Sequence, residues 1–157
     1  MGEMTIIHGR ITLRGGSQAS YEAARETIAT LDDDTQYPYL RSEMFGVDMA
    51  ESPFYYQQPV IAFAATYKSL EHDWATFKAK FEAFLRQLDF DTAKLEIETE
   101  FYGSFQCFWA AKVVNRSFAE KEHFTETDRW FVGYGYRTQF GTLQIPYDKK
   151  HSLDDFF

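Results

Sequence analysis

Apolar and polar residues alternate through the first part of the chain, and their spacing then becomes helical. Residues 5–14 place apolar side chains at every second position, which predicts a half-buried β-strand. Gly15 and Gly16 end this pattern. A helical stripe follows, formed by Tyr21, Ala24, Ile28 and Leu31. Together the two patterns predict a first β-α unit.

A second β-α unit is indicated farther along the chain. Residues 60–67 form a continuous apolar run, which is typical of a central strand covered on both faces. Ser69 is a candidate N-cap for the helix that follows. Spacings of four and three residues join the apolar stripe of this helix: Leu70, Trp74, Phe77, Phe81, Phe84 and Leu88. Because the stripe is rich in bulky rings, we predict that it packs against a sheet rather than in a coiled coil.

A long segment without sustained periodicity, residues 32–59, separates the two units. It contains prolines and a glycine, which interrupt regular structure, together with several Tyr and Phe residues. Disordered segments are poor in aromatic rings. We therefore predict that this segment packs on the domain as a lid or flap.

The second half of the chain alternates apolar and polar residues, as strands do. The pattern predicts strands over residues 95–101, 105–114 and 130–140, the second of them covered on both faces. It also predicts a polar loop over 115–128 and a last short strand over 142–147.

The order of these elements predicts an α+β fold. We expect two β-α units followed by an antiparallel β-meander, with the helices packed on one face of a mostly antiparallel sheet. Residues 1–147 are predicted to form a single domain, because no change of composition marks a boundary within them. Residues 148–157 are predicted to be a mobile acidic and aromatic tail.

Composition adds a negative charge to this picture. Lys and Arg number 16 against 24 Asp and Glu, so the net charge is -8. This charge disfavours nucleic acid and membrane surfaces as partners, because both are anionic. The apolar run that begins at Val60 is too short to cross a bilayer. Cys107 is the only cysteine, which excludes an intrachain disulfide and predicts a reducing, cytoplasmic location.

A glycine- and tyrosine-rich motif occupies residues 132–140. Its Gly-Tyr-Gly-Tyr core resembles the consensus on the third strand of RNA-recognition motif domains, where aromatic rings stack on bases. The motif departs from that consensus at three places: Val132 replaces a basic residue, Arg137 replaces an aliphatic one, and Phe140 comes one residue late. Together with the negative charge, these differences argue against RNA binding.

Catalytic and metal-binding patterns are not evident. The four histidines do not have ligand spacing, and the nearest group of ligand types, Glu120, Glu122 and His123, falls in the polar loop. Cys107 alternates with inward-facing residues and is predicted to be a buried, inert thiol. The sequence contains no nucleotide-binding loop or nucleophile elbow. We therefore predict no metal site and no cofactor, and nothing supports an enzyme.

The leading functional hypothesis rests on clustered acidic residues. We predict a non-enzymatic interaction domain, such as an inhibitor or immunity-type protein, that binds a basic protein through an acidic surface. The free C-terminal carboxylate is a further contact for such a partner. The predicted partner-binding residues are Asp32, Asp33, Asp34, Glu96, Glu98, Glu100, Asp154, Asp155 and Phe157.

Two other hypotheses remain open. One is a small-ligand-binding or enzymatic domain with an aromatic pocket between the C-terminal strands and residues 32–59. The candidate pocket residues are Trp109, Tyr134, Tyr136, Arg137 and Gln139. The other is a homodimer formed through exposed rings.

Overall fold

The main element of the computed structural model is a seven-stranded sheet in which every neighbouring pair is antiparallel. The structure describes residues 3–15, 18–47, 56, 58–101, 104–113, 124–134, 137–139 and 142–143. The strands are β1 (Met4–Leu13), β2 (Phe45–Val47), β3 (Val60–Lys68), β4 (Phe90–Thr99), β5 (Ser104–Ala111), β6 (Phe124–Glu126) and β7 (Trp130–Tyr134). Their order across the sheet is β2-β3-β1-β4-β5-β7-β6.

Two α-helices accompany this sheet in the described part of the chain. They are α1 (Gln18–Ala29) and α2 (Trp74–Arg86), and α2 is preceded by a 3-10 turn, Leu70–Asp73. The α+β class predicted from the sequence is thereby confirmed. The finer arrangement of β-α units and a meander stays a prediction, because β2 and β6 were not predicted and β6 lies outside β7 in the sheet.

The ring stripe of α2 packs on the sheet, as predicted. Phe77, Phe81 and Phe84 are buried, and the ring of Phe81 lies 5.0 Å from that of Trp109 on β5 and 5.4 Å from that of Phe63 on β3. Burying a ring of this size contributes about 1.5–3 kcal/mol. Buried residues of both helices belong to one core cluster with the inward side chains of the strands.

Ser69 does not cap α2, so that prediction was wrong. Its φ of 52° is left-handed, and its side chain forms no capping hydrogen bond. Its backbone N–H instead donates to the carbonyl of Glu3 at 2.7 Å, which ties the turn to the start of β1. The chain then passes through the 3-10 turn before α2 begins.

The predicted burial of residues 60–67 on both faces was also wrong. Along β3, Ile61, Phe63 and Tyr67 are buried, whereas Ala62 and Ala64 are exposed. The described helices add their buried side chains to one face of the sheet, so the small alanines of the other face remain open. For β5 the predicted burial of both faces holds as far as Ala111: Phe108 and Ala110 are buried in a second cluster, on the face opposite Cys107 and Trp109. The strand ends there instead of at residue 114, and Val113 is 70% exposed.

The strand predicted over residues 130–140 is two elements. β7 ends at Tyr134, and β8 (Arg137–Gln139) pairs with β9 (Thr142–Leu143) in a separate two-stranded sheet. The predicted tail, residues 148–157, lies outside the described residues.

Candidate functional site

A cavity of about 700 Å³ lies at the edge of the sheet beside β3. β2 pairs with β3 only at residues 61–63. Beyond this point, residues 64–68 have no strand partner on that side within the described part of the chain. The walls of the cavity come from these residues, from residues within 37–44, and from Glu3 and Met4. The site therefore occupies the place where the short strand β2 leaves the edge uncovered.

Three tyrosines connect the walls of this cavity. Tyr37 donates its hydroxyl hydrogen bond to the carbonyl of Lys68, and Tyr67 donates to the carbonyl of Tyr39. The rings of Tyr37 and Tyr39 meet nearly edge to face, with centroids 5.8 Å apart. Burial raises the pKa of Tyr67 far above its usual value, with smaller contributions from Tyr37 and Asp34, so its hydroxyl remains a donor at neutral pH.

Charged side chains complete the lining. The guanidinium of Arg41 lies over the ring of Tyr39 at 5.3 Å, and Lys68 and Glu43 also contribute to the walls. Arg41, Lys68 and Glu43 form no ion pair within the described residues. Tyr37 and Tyr39 remain 40% and 42% exposed. The cavity thus offers ring faces together with charged groups that a ligand could engage.

Asp34 anchors the chain that forms one wall. Its carboxylate oxygens both lie 2.9 Å from Nζ of Lys80 on α2, and it accepts a hydrogen bond from the N–H of Leu40 at 2.8 Å. Lys80 also donates to the carbonyl of Pro38 at 3.0 Å. Burial alone would raise the pKa of Asp34, but these hydrogen bonds hold it below its usual value. This ion pair fixes the start of the wall to α2.

Asp32 has a similar role. It accepts hydrogen bonds from the hydroxyl of Ser42 at 2.6 Å and from its N–H at 3.2 Å, and these bonds lower the pKa of Asp32. Two of the predicted partner-binding residues, Asp32 and Asp34, are therefore engaged with the wall of the cavity. Asp33, between them, is exposed.

The other predicted acidic residues lie elsewhere. Glu96 points to the face opposite the helices, where His8 (3.1 Å), Lys94 (2.9 Å) and Gln106 (2.7 Å) contact its carboxylate. Glu98 is exposed, and Glu100 accepts a hydrogen bond from the backbone N–H of Met4 at 2.9 Å.

The described acidic residues therefore do not share one surface. Asp34 contacts α2, whereas Glu96 and Glu98 lie on the opposite face of the sheet. Asp154, Asp155 and Phe157 lie outside the described residues.

Two residues of the alternative pocket have described side chains, Trp109 and Tyr134, and neither lines this cavity. Trp109 is fully buried against Phe81, and Tyr134 is half-buried with Nζ of Lys78 at 5.2 Å from its ring. The side chains of Arg137 and Gln139, and all of Tyr136, lie outside the described part of the chain. Among the described residues, the cavity and the expected location have the 32–59 segment in common. Tyrosines on either side of Pro38 were the available sequence signal for its wall.

A group of potential metal ligands lies where β1 begins. One ligand atom from each of Glu3, Glu71 and His72 can be chosen so that all three lie within 4.8 Å of one another. Burial raises the pKa of Glu3. A hydrogen bond with Glu71 and the negative charge of Glu71 raise this pKa further, whereas His72 lowers it. The sequence could not indicate this group, because Glu3 meets the other two residues only through pairing of β1 with β3. Glu120, Glu122 and His123, the nearest group of ligand types in the sequence, lie outside the described residues.

Comparisons of the chain with protein-family models, with curated proteins and with solved structures found no match. Within the described ranges, no helix combines the length and apolar character that crossing a membrane requires. The fold and the site together define an α+β domain with a tyrosine-lined cavity at one edge of its sheet.

Proposed function

We propose that this protein binds a small amphipathic molecule in the cavity beside β3. The observation that carries the proposal is a space of about 700 Å³ bordered by two tyrosines that remain 40% and 42% exposed. Ligand sites in proteins commonly have volumes of about 300–1,000 Å³ and combine apolar walls with a few polar groups. Exposed rings beside such a space supply stacking surfaces for a ring of the ligand.

The guanidinium of Arg41, which lies over the ring of Tyr39 in the cavity lining, favours an anionic group on that ligand. Arg41 and Lys68 form no ion pair in the described part of the chain, although Asp32 interacts electrostatically with Arg41. The lining carboxylates are Glu3, which lies 3.9 Å from His72, and Glu43. The guanidinium of Arg41 is suited to a carboxylate, sulfonate or phosphate because of its planar set of donors. The ligand class is therefore a ring-bearing small anion.

A fluorescence titration with 8-anilinonaphthalene-1-sulfonate, a ring-bearing small anion, tests this proposal. We expect saturable binding to the native protein and an affinity at least about fivefold weaker in Arg41→Gln, because one charge-assisted contact is lost. The matched control is Arg25→Gln, since Arg25 lies over the ring of Tyr21 at 5.6 Å on α1, away from the cavity. Near-UV circular dichroism checks that each variant stays folded. Equal affinities for Arg41→Gln and Arg25→Gln would overturn the proposal.

A second candidate function is binding of a basic protein, as an inhibitor or immunity-type protein does. The net charge of -8 and the exposed carboxylates of Asp33 and Glu98 favour it. A native pull-down with Asp33→Lys and Glu98→Lys tests this function against Glu26→Lys, an exposed glutamate on α1. Loss of a partner in either of the first two variants but not in the third supports it. Retention in all three contradicts it.

We further propose a homodimer, an arrangement of two β-α units before the later strands, and a cytoplasmic location. Sedimentation velocity distinguishes a homodimer from a monomer. The succession of β1 by α1 and of β3 by the turn and α2 supports two β-α units before the later strands. Cys107 is a buried free thiol, which supports a reducing, cytoplasmic location.

A further inference from the structure

The start of β1 and the 3-10 turn before α2 hold three possible metal ligands together. Glu3 precedes β1, and Glu71 and His72 lie in the turn Leu70–Asp73. The N–H of Ser69 donates to the carbonyl of Glu3 at 2.7 Å, so the two backbones are joined beside the group. Nε2 of His72 lies 3.9 Å from Oε2 of Glu3. One nitrogen and two carboxylate oxygens thus converge within 4.8 Å.

The burial of Glu71 is the second observation that points to a ligand. Glu71 is 1% exposed, and only its Oε2 has a hydrogen bond, from the hydroxyl of Thr5. Its Oε1 is buried and receives no hydrogen bond from another N–H or O–H group of the described residues, and the same is true of Oε2 of Glu3. The two carboxylates instead face each other, and a hydrogen bond between them requires that one of them be protonated. A buried carboxylate oxygen without a partner is unfavourable, because it has lost its hydration without compensation.

We propose that Glu3, Glu71 and His72 bind a divalent transition-metal cation of the Zn²⁺ class. Imidazole nitrogen and carboxylate oxygen are among the ligand atoms that bind Zn²⁺ in proteins. The two negative charges of the glutamates balance the two positive charges of the ion. Ligand atoms about 2.1 Å from a tetrahedral ion stand about 3.4 Å apart. The observed 3.9 Å between Glu3 and His72 is close to this spacing.

Small side-chain movements can bring the three ligand atoms to the spacing that the ion requires. Glu3 and His72 are 32% and 55% exposed and can move, whereas Glu71 is held by its hydrogen bond from Thr5. Three protein ligands leave one position for water or another molecule. Glu3 also lines the cavity beside β3, so the ion would lie at its wall. The metal site does not depend on the proposed small-molecule function, because the ion binds through its own ligands.

His8 and Glu96 provide an internal comparison on the other face of the sheet. They form another histidine–glutamate pair, at 3.1 Å, with His8 41% exposed. There, Lys94 and Gln106 already occupy the carboxylate of Glu96, and a positive neighbour opposes binding of a cation. We therefore expect no ion at this pair.

Calorimetric titration of the chelator-treated full chain with Zn²⁺ alone tests the site. We expect one equivalent to bind, with an affinity at least about tenfold lower in His72→Ala and Glu71→Gln, because each loses a ligand, and unchanged in His8→Ala. Should Glu71→Gln fail to fold by circular dichroism, His72→Ala decides the test, since that side chain is largely exposed. The proposal is overturned by absence of saturable binding, by wild-type affinity in His72→Ala, or by an equal loss in His8→Ala.

Discussion

Two aromatic clusters pack on the same sheet and differ in how far their rings are buried. The ring core consists of Phe77, Phe81, Phe84 and Trp109, all fully or almost fully buried between α2 and the sheet. The tyrosine edge consists of Tyr37, Tyr39 and Tyr67 beside β3, where the first two are 40% and 42% exposed. The ring core fills the space under a helix, whereas the tyrosine edge leaves a cavity of about 700 Å³.

The chemical difference between the clusters explains their positions. A phenylalanine ring has no polar atom, so it can be buried wherever the packing allows. A tyrosine hydroxyl needs a partner when it is buried. Tyr37 and Tyr67 satisfy this need with backbone carbonyls across the edge, and they thereby connect residues 37–39 to β3. Aromatic residues thus fill the core in one region and line a cavity in the other.

The largest stability effect is expected from the ring core. Phe81→Ala should lower the free energy of unfolding by about 3–5 kcal/mol, because it leaves a cavity among Phe63, Phe77 and Trp109. Urea denaturation measures this change. The control is Phe101→Ala, since Phe101 is 69% exposed. It should change stability by no more than about 0.5 kcal/mol. Similar losses in both variants would contradict the assignment of Phe81 to the ring core.

Two strand glycines differ in the same way: Gly9 lies in the packed interior, and Gly46 lies at the open edge of the sheet. A Cβ on Gly9 would lie 2.0 Å from the carbonyl oxygen of Lys94 and 2.7 Å from the ring of Phe63, whereas a Cβ on Gly46 would meet nothing within 4 Å. We expect Gly9→Ala to cost about 2–3 kcal/mol through overpacking between β1, β3 and β4. Gly46→Ala, at the edge in β2, should be neutral or stabilising by less than about 1 kcal/mol. Thermal unfolding of the two variants compares them, and equal melting temperatures would contradict the packing around Gly9.

The ion pair between Asp34 and Lys80 should have a smaller, pH-dependent effect. Because the folded pKa of Asp34 lies below the usual 3.8, its contribution to stability is complete above that value and is lost as the pH falls through the folded pKa. Asp34→Asn should therefore lower stability by about 2 kcal/mol at neutral pH and by less in acid.

The exposed Asp33 provides the control for this ion pair. Urea denaturation at several pH values should show little change for Asp33→Asn. A stability loss in Asp34→Asn that stays constant below pH 3.8 would contradict the role of the Asp34 carboxylate.

The smallest stability effect is expected at the tyrosine edge. Arg41→Gln removes a cation–π contact with an exposed ring and should cost no more than about 0.5–1 kcal/mol. The same variant should weaken binding of the ring-bearing anion at least about fivefold. Arg41→Gln is therefore expected to reduce binding much more than it reduces stability. A stability loss as large as that of Phe81→Ala would show that Arg41 belongs to the structural core.

The sequence predicted elements with strong local patterns. The stripe of α2 and the alternation in β1 were visible because each continues over many residues. β2 and β6 have three residues each, which is too short for a pattern to be distinguished from a loop. The burial of residues 60–67 on both faces was wrongly predicted, because alanine is apolar but small enough to remain exposed.

The cavity and the possible metal ligands could not be predicted, because contacts between distant parts of the chain create both. Tyr37 reaches Lys68 across the edge, and Glu3 reaches His72 only after β1 and β3 pair. The acidic residues were predicted as one interaction surface, but Asp34 has Lys80 as its partner and Glu96 has His8 and Lys94. Such partners become identifiable only when the strand order is known.

The most direct test of the central claim, that the tyrosine edge is the binding region, is backbone amide NMR shift mapping. The labelled protein is titrated with 8-anilinonaphthalene-1-sulfonate, and the shifts are compared between the tyrosine edge and the ring core. We predict the largest changes at Tyr39, Arg41 and residues 64–68, with little change around Phe81 and Trp109. Largest changes around the ring core or around Glu96 and Gln106, or none at the edge at saturating concentration, would contradict it.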